Sequence, residues 1–310
     1  MRRMLISAAV SALVAGSAFA ADLPSRKGPP VLPPPPPPPP MWTGFYVGLN
    51  AGGTWAASGN ITNTAFGIVP GPGVFPQPVL SAEAAASATS FVSGNNNGGF
   101  IGGGQIGYNF QFYNNFIVGL EADIQGIAGT SGSRSFIATT PSSFPAGTGS
   151  TFTTVGQLRG SLDYLGTVRG RLGWLFTPTL LVYGTGGFAY GGVSVNNAFV
   201  TSHSFGAFLP SPLTSFGASS FADTRTGWTA GGGLEWMFWP NWSAKVEYLY
   251  YDLGRITTTA YGFESGANTG GVQLWGLGLQ TSARVNGNIV RAGVNYHFNW
   301  GAPAPVVAKY

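Results

Sequence analysis

The chain has 310 residues, no cysteine, and only 8% charged residues. The missing cysteines exclude a disulfide framework and a thiolate metal site. The charge content is about a third of a soluble domain's usual share, too little to cover a water-facing surface. Lys and Arg number 14 against 10 Asp and Glu, and they are scattered, so there is no basic stripe for nucleic acid.

Arg2 and Arg3 precede an apolar stretch, Leu5 to Ala15, that is too short to span a bilayer. Ala18-Phe19-Ala20 is a small-x-small cleavage site. Residues 1–20 therefore read as a secretory signal peptide, and an uncleaved anchor would need a longer run. Its removal takes away two of the 14 cations and leaves twelve against ten acids. Residues 21–42 follow as a disordered periplasmic spacer. Pro33 to Pro40 has no backbone donors and favours a polyproline II rod of roughly 25 Å. The alternative for this segment is a docking peptide for a periplasmic partner or the cell wall.

Residues 43–300 are the candidate barrel, in which eight runs alternate with period two. Phe45, Val47, Leu49 and Ala51 oppose Tyr46, Gly48, Asn50 and Gly52. Phe100 to Phe110 and Phe116 to Gln125 repeat the pattern, the latter with Glu121 and Asp123 on the polar side. Leu162, Tyr164, Val168, Leu172 and Trp174 oppose Asp163, Thr167, Arg169 and Arg171. Four further runs occupy Leu180–Val195, Arg225–Phe238, Trp242–Gly254 and Asn288–Asn299. Alternation of this kind marks a strand with one wet and one apolar face. A mature membrane helix is excluded: the best candidate, Leu172 to Val195, contains Pro178 and six glycines. Only helices and closed barrels satisfy every backbone group in lipid. The expected fold is therefore all-β, an eight-stranded antiparallel up-and-down transmembrane barrel with apolar residues outward. A tail, 301–310, would follow.

Short connections at Tyr113-Asn114-Asn115, Thr177-Pro178-Thr179 and Trp239-Pro240-Asn241 alternate with long ones near 57–98, 129–161, 196–224 and 259–287. Short periplasmic turns and four long external loops fit eight strands with both ends in the periplasm. Phe112, Phe116, Trp174, Phe238, Trp239, Trp242 and Phe298 gather at the short turns as an aromatic girdle at headgroup level. Trp55, Trp228 and Tyr250 would form the upper one. Phe66, Phe75, Phe91, Phe144, Phe205, Phe208, Phe216 and Trp275 fall in the long connections, either packing over the mouth or meeting another surface.

Ala21-Asp22-Leu23-Pro24 with the proline run, Trp42-Thr43-Gly44-Phe45-Tyr46-Val47-Gly48, Lys245 through Gly254, and Val290 through Phe298 form a set of motifs. Together they resemble the alphaproteobacterial major outer-membrane and opacity-type porin family, with an OmpA-like eight-stranded domain. The resemblance implies a cell outer-membrane location, with membrane lipid, lipopolysaccharide and the barrel-assembly machinery as partners and a role in envelope integrity or host contact. It implies haem binding for some members and supplies no catalytic residue. The chain departs from barrels that end on an aromatic, because it continues past Phe298 to Tyr310.

The inward charges Glu121, Asp123, Asp163, Arg169, Arg171, Glu235, Lys245, Glu247 and Arg291 are expected to form a lumen ion-pair network. Glu235 and Lys245 would share a height, as approximately would Glu121 with Arg169 and Arg171, and Glu247 with Arg291. A barrel of eight strands is filled by side chains, so a structural polar core is preferred over a narrow or gated pore. Gly102-Gly103-Gly104-Gln105-Ile106-Gly107 fits a dinucleotide fingerprint, but the alternation runs on through Tyr108 and Phe110, which makes it a glycine-rich strand. His203 and His297 fall too far apart to share a metal or a triad. No catalytic, metal or cofactor site is therefore assigned, and a monomer is expected. The preferred function is structural and surface-exposed, with a porin or a loop-borne adhesin or haem-binding role as alternatives.

Overall fold

The computed structural model describes residues 42–57, 61–68, 77–88, 98–113, 115–143, 147, 149–205, 212–268 and 271–298. The signal peptide, the proline run and the tail 301–310 lie outside them. Ten strands and one helix follow in order: β1 (Gly44–Ala56), β2 (Ile61–Ile68), α1 (Gln77–Ala88), β3 (Gly99–Phe112), β4 (Phe116–Ala128), β5 (Gly132–Pro141), β6 (Thr151–Thr177), β7 (Leu180–Ser204), β8 (Leu213–Trp239), β9 (Trp242–Asn268) and β10 (Gly271–Phe298).

Eight of the strands form a ring. The order β1-β3-β4-β6-β7-β8-β9-β10 closes through antiparallel pairing of β1 with β10, from Phe45 opposite Phe298 to Ala56 opposite Gly287. Phe45, Leu49, Leu120, Leu172, Trp236 and Val246 lie on the outer face and are exposed. This is the inside-out arrangement of a barrel in lipid, whose apolar band is about 25 Å tall. Among the described residues no helix is long and apolar enough to cross a membrane.

Three of the four expected external loops are largely strand. The strands β6 to β10 are 27, 25, 27, 27 and 28 residues long, whereas about ten residues suffice to cross the membrane. Their upper halves continue as a β-extension in the order β5-β6-β7-β8-β9-β10-β2, with β5 paired to β6 and β2 to β10. The alternation persists there with little hydrophobic contrast. On β7, Ser194, Asn196, Ala198 and Val200 face out, while Val195, Asn197, Phe199 and Thr201 are buried. A period-two signal between equally mild residues does not stand out in a sequence. The fourth expected loop, 57–98, carries β2 and α1. The Ala-rich stretch through Ala88 favours a helix, and Ala84, Ala85, Ser87 and Ala88 are buried inside the extension. Ala85 and Ala88 pack with Phe136, Phe199, Ala260, Leu277 and Leu279. The Ser87 hydroxyl lies 2.6 Å from that of Thr154.

Two of the register irregularities re-aim the wall. The β6–β7 register steps from Leu162 opposite Val193 to Tyr164 opposite Gly192, so Asp163 is an extra, bulged residue. Leu162 is thereby turned inward. In β9, Gly254 has φ +82° where the register with β10 shifts between Arg284 and Asn286. Its N–H donates to Asp252 Oδ1 at 2.9 Å. That left-handed conformation suits glycine.

The interior is layered. At the end carrying the short turns, Trp42 packs with Ile117, Leu175, Leu181, Tyr183 and Met237. Trp42, assigned by sequence to the spacer, is fully buried there, and its indole N–H donates to the Pro178 carbonyl at 3.0 Å. A bulky ring that fills the barrel mouth cannot remain in a solvated linker. Charged residues lie above this plug. An apolar layer of Ile101, Leu158, Leu162, Leu165, Leu249, Leu253 and their neighbours follows.

The extension carries a second outward apolar belt. Ile137 pairs with Val155, Val155 with Val200, Val200 with Phe216, and Phe216 with Phe263. All five side chains are at least 40% exposed. Gln157, Arg159, Asp163, Asn196 and Arg255 face outward between this belt and the lower one. The separation is 13 residues on β6, from Val155 to Val168, or roughly 30 Å for a tilted strand.

Candidate functional site

Period-two geometry brings one set of charges to one height. Glu121 and Asp123 come from β4, Arg169 and Arg171 from β6, Glu235 from β8, Lys245 and Glu247 from β9, and Arg291 from β10. All eight are at most 5% exposed. Glu121 sits opposite Arg169, Glu235 opposite Lys245, and Glu247 opposite Arg291 in the strand registers.

The contacts run across the lumen as well as along the wall. Arg169 pairs with Glu121, with Asp123 at 2.8 Å and with Glu247 at 2.9 Å. Arg291 binds Asp123 at 2.8 Å and Glu247 at 2.6 Å. Lys245 reaches Glu121 at 2.9 Å, while its register partner Glu235 takes Arg171 at 2.6 Å. Four cations thus face four carboxylates. The balance matters because each uncompensated ion buried here would cost several kcal/mol.

Neutral groups complete the layer, and the sequence reading did not include them in it. Tyr46 donates to Glu121 at 2.7 Å and accepts from Arg171 at 2.8 Å. Tyr183 donates to Glu247 at 3.1 Å, and the Arg171 guanidinium stacks 3.9 Å from its ring centre. Ser243 and Asn295 donate to Glu235 at 2.6 and 2.7 Å. All four lie on the polar side of their strands' alternation, and that phase was the available signal.

Asp163 does not join this layer. The bulge puts it on the outer face, exposed and several residues above Arg169. Strict alternation predicts the opposite, because it cannot anticipate an inserted residue.

The girdle residues cluster at the short turns. Phe112 stacks on Phe116 with ring centres 5.8 Å apart, and Phe238 meets Trp239 at 5.7 Å. Trp174 lies opposite Phe116, and Trp242 opposite Trp239. Phe298 reaches Trp242 through Tyr296, at 5.1 and 5.2 Å. At the upper edge Trp228 contacts Tyr250 at 5.3 Å. Among the long-connection aromatics, Phe66 and Phe216 are on outer strand faces and do not pack over the mouth, because these segments are strands. Phe205 is buried against His203 at 4.0 Å. Phe75, Phe91, Phe144 and Phe208 lie outside the described residues, as does the Trp275 side chain.

His297 lies beside Ser243 in the lower layer, 2.9 Å from its hydroxyl, whereas His203 stacks on Phe152 at the top of β7. The glycine-rich segment 102–107 is mid-strand, paired with β1 and β4. No group of three metal-ligating side chains occurs among the described residues.

A closed ring of eight strands with an apolar exterior and a charged, filled interior defines a transmembrane β-barrel of the outer-membrane type. The sequence comparisons agree. Residues 6–298 match the model of the outer membrane protein beta-barrel domain, and the chain belongs to that family. It is 33% identical over 300 residues to the 31 kDa outer-membrane immunogenic proteins of Brucella melitensis and Brucella suis, covering 96% of this chain and all of each relative. An uncharacterised Coxiella burnetii protein is 28% identical over 65% of this chain and 70% of its own length. Among solved structures, Ail of Yersinia pestis aligns at 14% identity and a TM-score of 0.29, over 83% of this chain and all of that one. The protein is an outer-membrane barrel protein.

Proposed function

We propose that the protein is a non-conducting structural barrel that carries a rigid β-extension on the cell surface. The observation behind this reading is the stacking inside the wall: a balanced ionic layer lies between a plug around Trp42 and an apolar layer around Leu165 and Leu249. Ions would have to cross apolar layers on both sides, and the charges they would meet are already paired. Planar-bilayer recording tests this. The reading expects heat-modifiable protein and no discrete channels. Steady conductance whose selectivity changes in Arg169→Gln or Arg171→Gln would overturn it in favour of a pore.

A second reading, contact with another surface, draws on the outer apolar belt from Ile137 to Phe263. Exposed contiguous apolar surface of this kind marks interaction sites. Binding of intact cells to immobilised matrix protein, lost in Phe216→Ser with Phe263→Ser, would support it. Unchanged binding in that variant would remove the belt from consideration.

A further inference from the structure

The ring strands β1, β3 and β4 stop at one height, at Ala56, Gly99 and Ala128, and the extension continues from Ile61 on β2 and Gly132 on β5. A cavity of about 190 Å3 lies at this hand-over. Its body is apolar, formed by buried Leu158, Leu162, Val193, Val195 and Tyr251. Trp55, half exposed, lines it from the end of β1. Two guanidinium side chains complete the lining. Arg134 projects from the inward face of β5 and is half-buried. Arg284 is held at the β10 side by Asp252, with Nε 3.0 Å from Oδ2. Among the described residues of the lining there is no acidic side chain.

We propose that this cavity binds a small amphipathic anion, with an apolar body of about six to eight carbons and a carboxylate or phosphate head. The size follows from volume, since an apolar cavity of about 150 Å3 accommodates benzene. The head group follows from charge. Arg134 is on the cavity side of its strand, and an anion beside a half-buried guanidinium makes a charge-assisted hydrogen bond stronger than a neutral one. The height also suits an amphiphile. Tyr251 lines the cavity, and its chain neighbour Tyr250 meets Trp228 on the outer face, so the cavity lies at the height of that upper aromatic contact. The ligand could be a free aliphatic acid or a chain of a neighbouring anionic lipid, and both present the same chemistry.

Quenching by 8-bromooctanoate tests the proposal on the full-length protein in amphipol, with heat-modifiable mobility as the folding control. The expected result is saturable quenching that is lost in Trp55→Phe. Arg134→Gln should weaken it at least tenfold without changing competition by octanol. Leu162→Phe, which fills the cavity, should abolish both. Non-saturable quenching, persistence in Trp55→Phe, or an affinity unchanged by Arg134→Gln would overturn the proposal. If Leu162→Phe fails to fold, Arg134→Gln decides alone. Vesicles separate the two sources. Weaker octanoate binding in phosphatidylglycerol than in phosphatidylcholine identifies an anionic lipid as the occupant, and equal binding identifies the free acid.

Discussion

Arg169 on β6 and Glu247 on β9 meet at 2.9 Å across the lumen, with two strands of wall between them. The same guanidinium holds Glu121 and Asp123 of its neighbour β4. One side chain thus ties together two sectors of the barrel that are distant around the ring. Arg169→Ala would leave three carboxylates short of a cation and is expected to cost about 3–5 kcal/mol. Urea unfolding in detergent micelles or vesicles measures it. Arg169→Gln combined with Glu247→Gln restores the balance and should recover part of the loss. A double variant as unstable as the sum of the single ones would refute charge balance as the cause.

The bulge makes a contrast between two aspartates. Asp163 is exposed on the outer face, whereas Asp123 binds Arg169 and Arg291 at 2.8 Å each. Asp163→Asn should change stability by no more than about 0.5 kcal/mol. Asp123→Asn removes charge from two buried cations and should cost several times more. Equal effects in denaturant titrations would argue against the bulge.

Trp42 closes the lower mouth and is fully buried. Trp42→Ala is expected to cost about 3–5 kcal/mol for the lost packing and the cavity left behind. It would also open the ionic layer to the periplasm. Faster hydrogen exchange at Ile117 and Leu181 amides, read by mass spectrometry, would show that opening; unchanged exchange would count against Trp42 as the seal.

Gly187 on β7 leaves no room for a side chain. A Cβ there would meet the Val168 carbonyl oxygen at 2.2 Å and the Arg169 Cα at 2.8 Å. Backbone on that side cannot yield cheaply, so Gly187→Ala should destabilise by about 1–3 kcal/mol and loosen the Arg169 contacts. A melting temperature equal to wild type would exclude the close approach.

The helix α1 is expected to respond to pH through Glu83. Burial raises the carboxyl's pKa, but hydrogen bonds from Ser143 N–H at 2.9 Å and the Ser142 hydroxyl at 2.8 Å outweigh this and hold it below the usual glutamate range. A folded-state pKa that is lowered adds stability above the unfolded value, and that stability is lost as pH falls through the folded one. Protection of α1 amides should therefore fall as pH drops through and below the ordinary glutamate range. Glu83→Gln should start with weaker protection and lose that dependence. The same acid response in Glu83→Gln would exclude this carboxyl.

The membrane-spanning half was legible in the sequence because lipid imposes a sharp contrast. Leu120 against Glu121 and Val246 against Glu247 alternate so strongly that period and facing follow from the residues themselves. The height-matching of Glu121 with Arg169 and of Glu247 with Arg291 also followed, since short turns fix register. Tertiary structure decided the rest. Lys245 finds Glu121 and not Glu235, because the lumen is narrow enough for a long side chain to cross it. Asp163 turns outward because a bulge adds one residue. Segments that read as loops are strands: above the membrane, backbone pairing continues without a strong apolar-polar contrast, and hydrogen bonding to a neighbouring strand leaves little trace in composition. Trp42 belongs to the barrel because only closure of the ring creates the mouth that its indole fills.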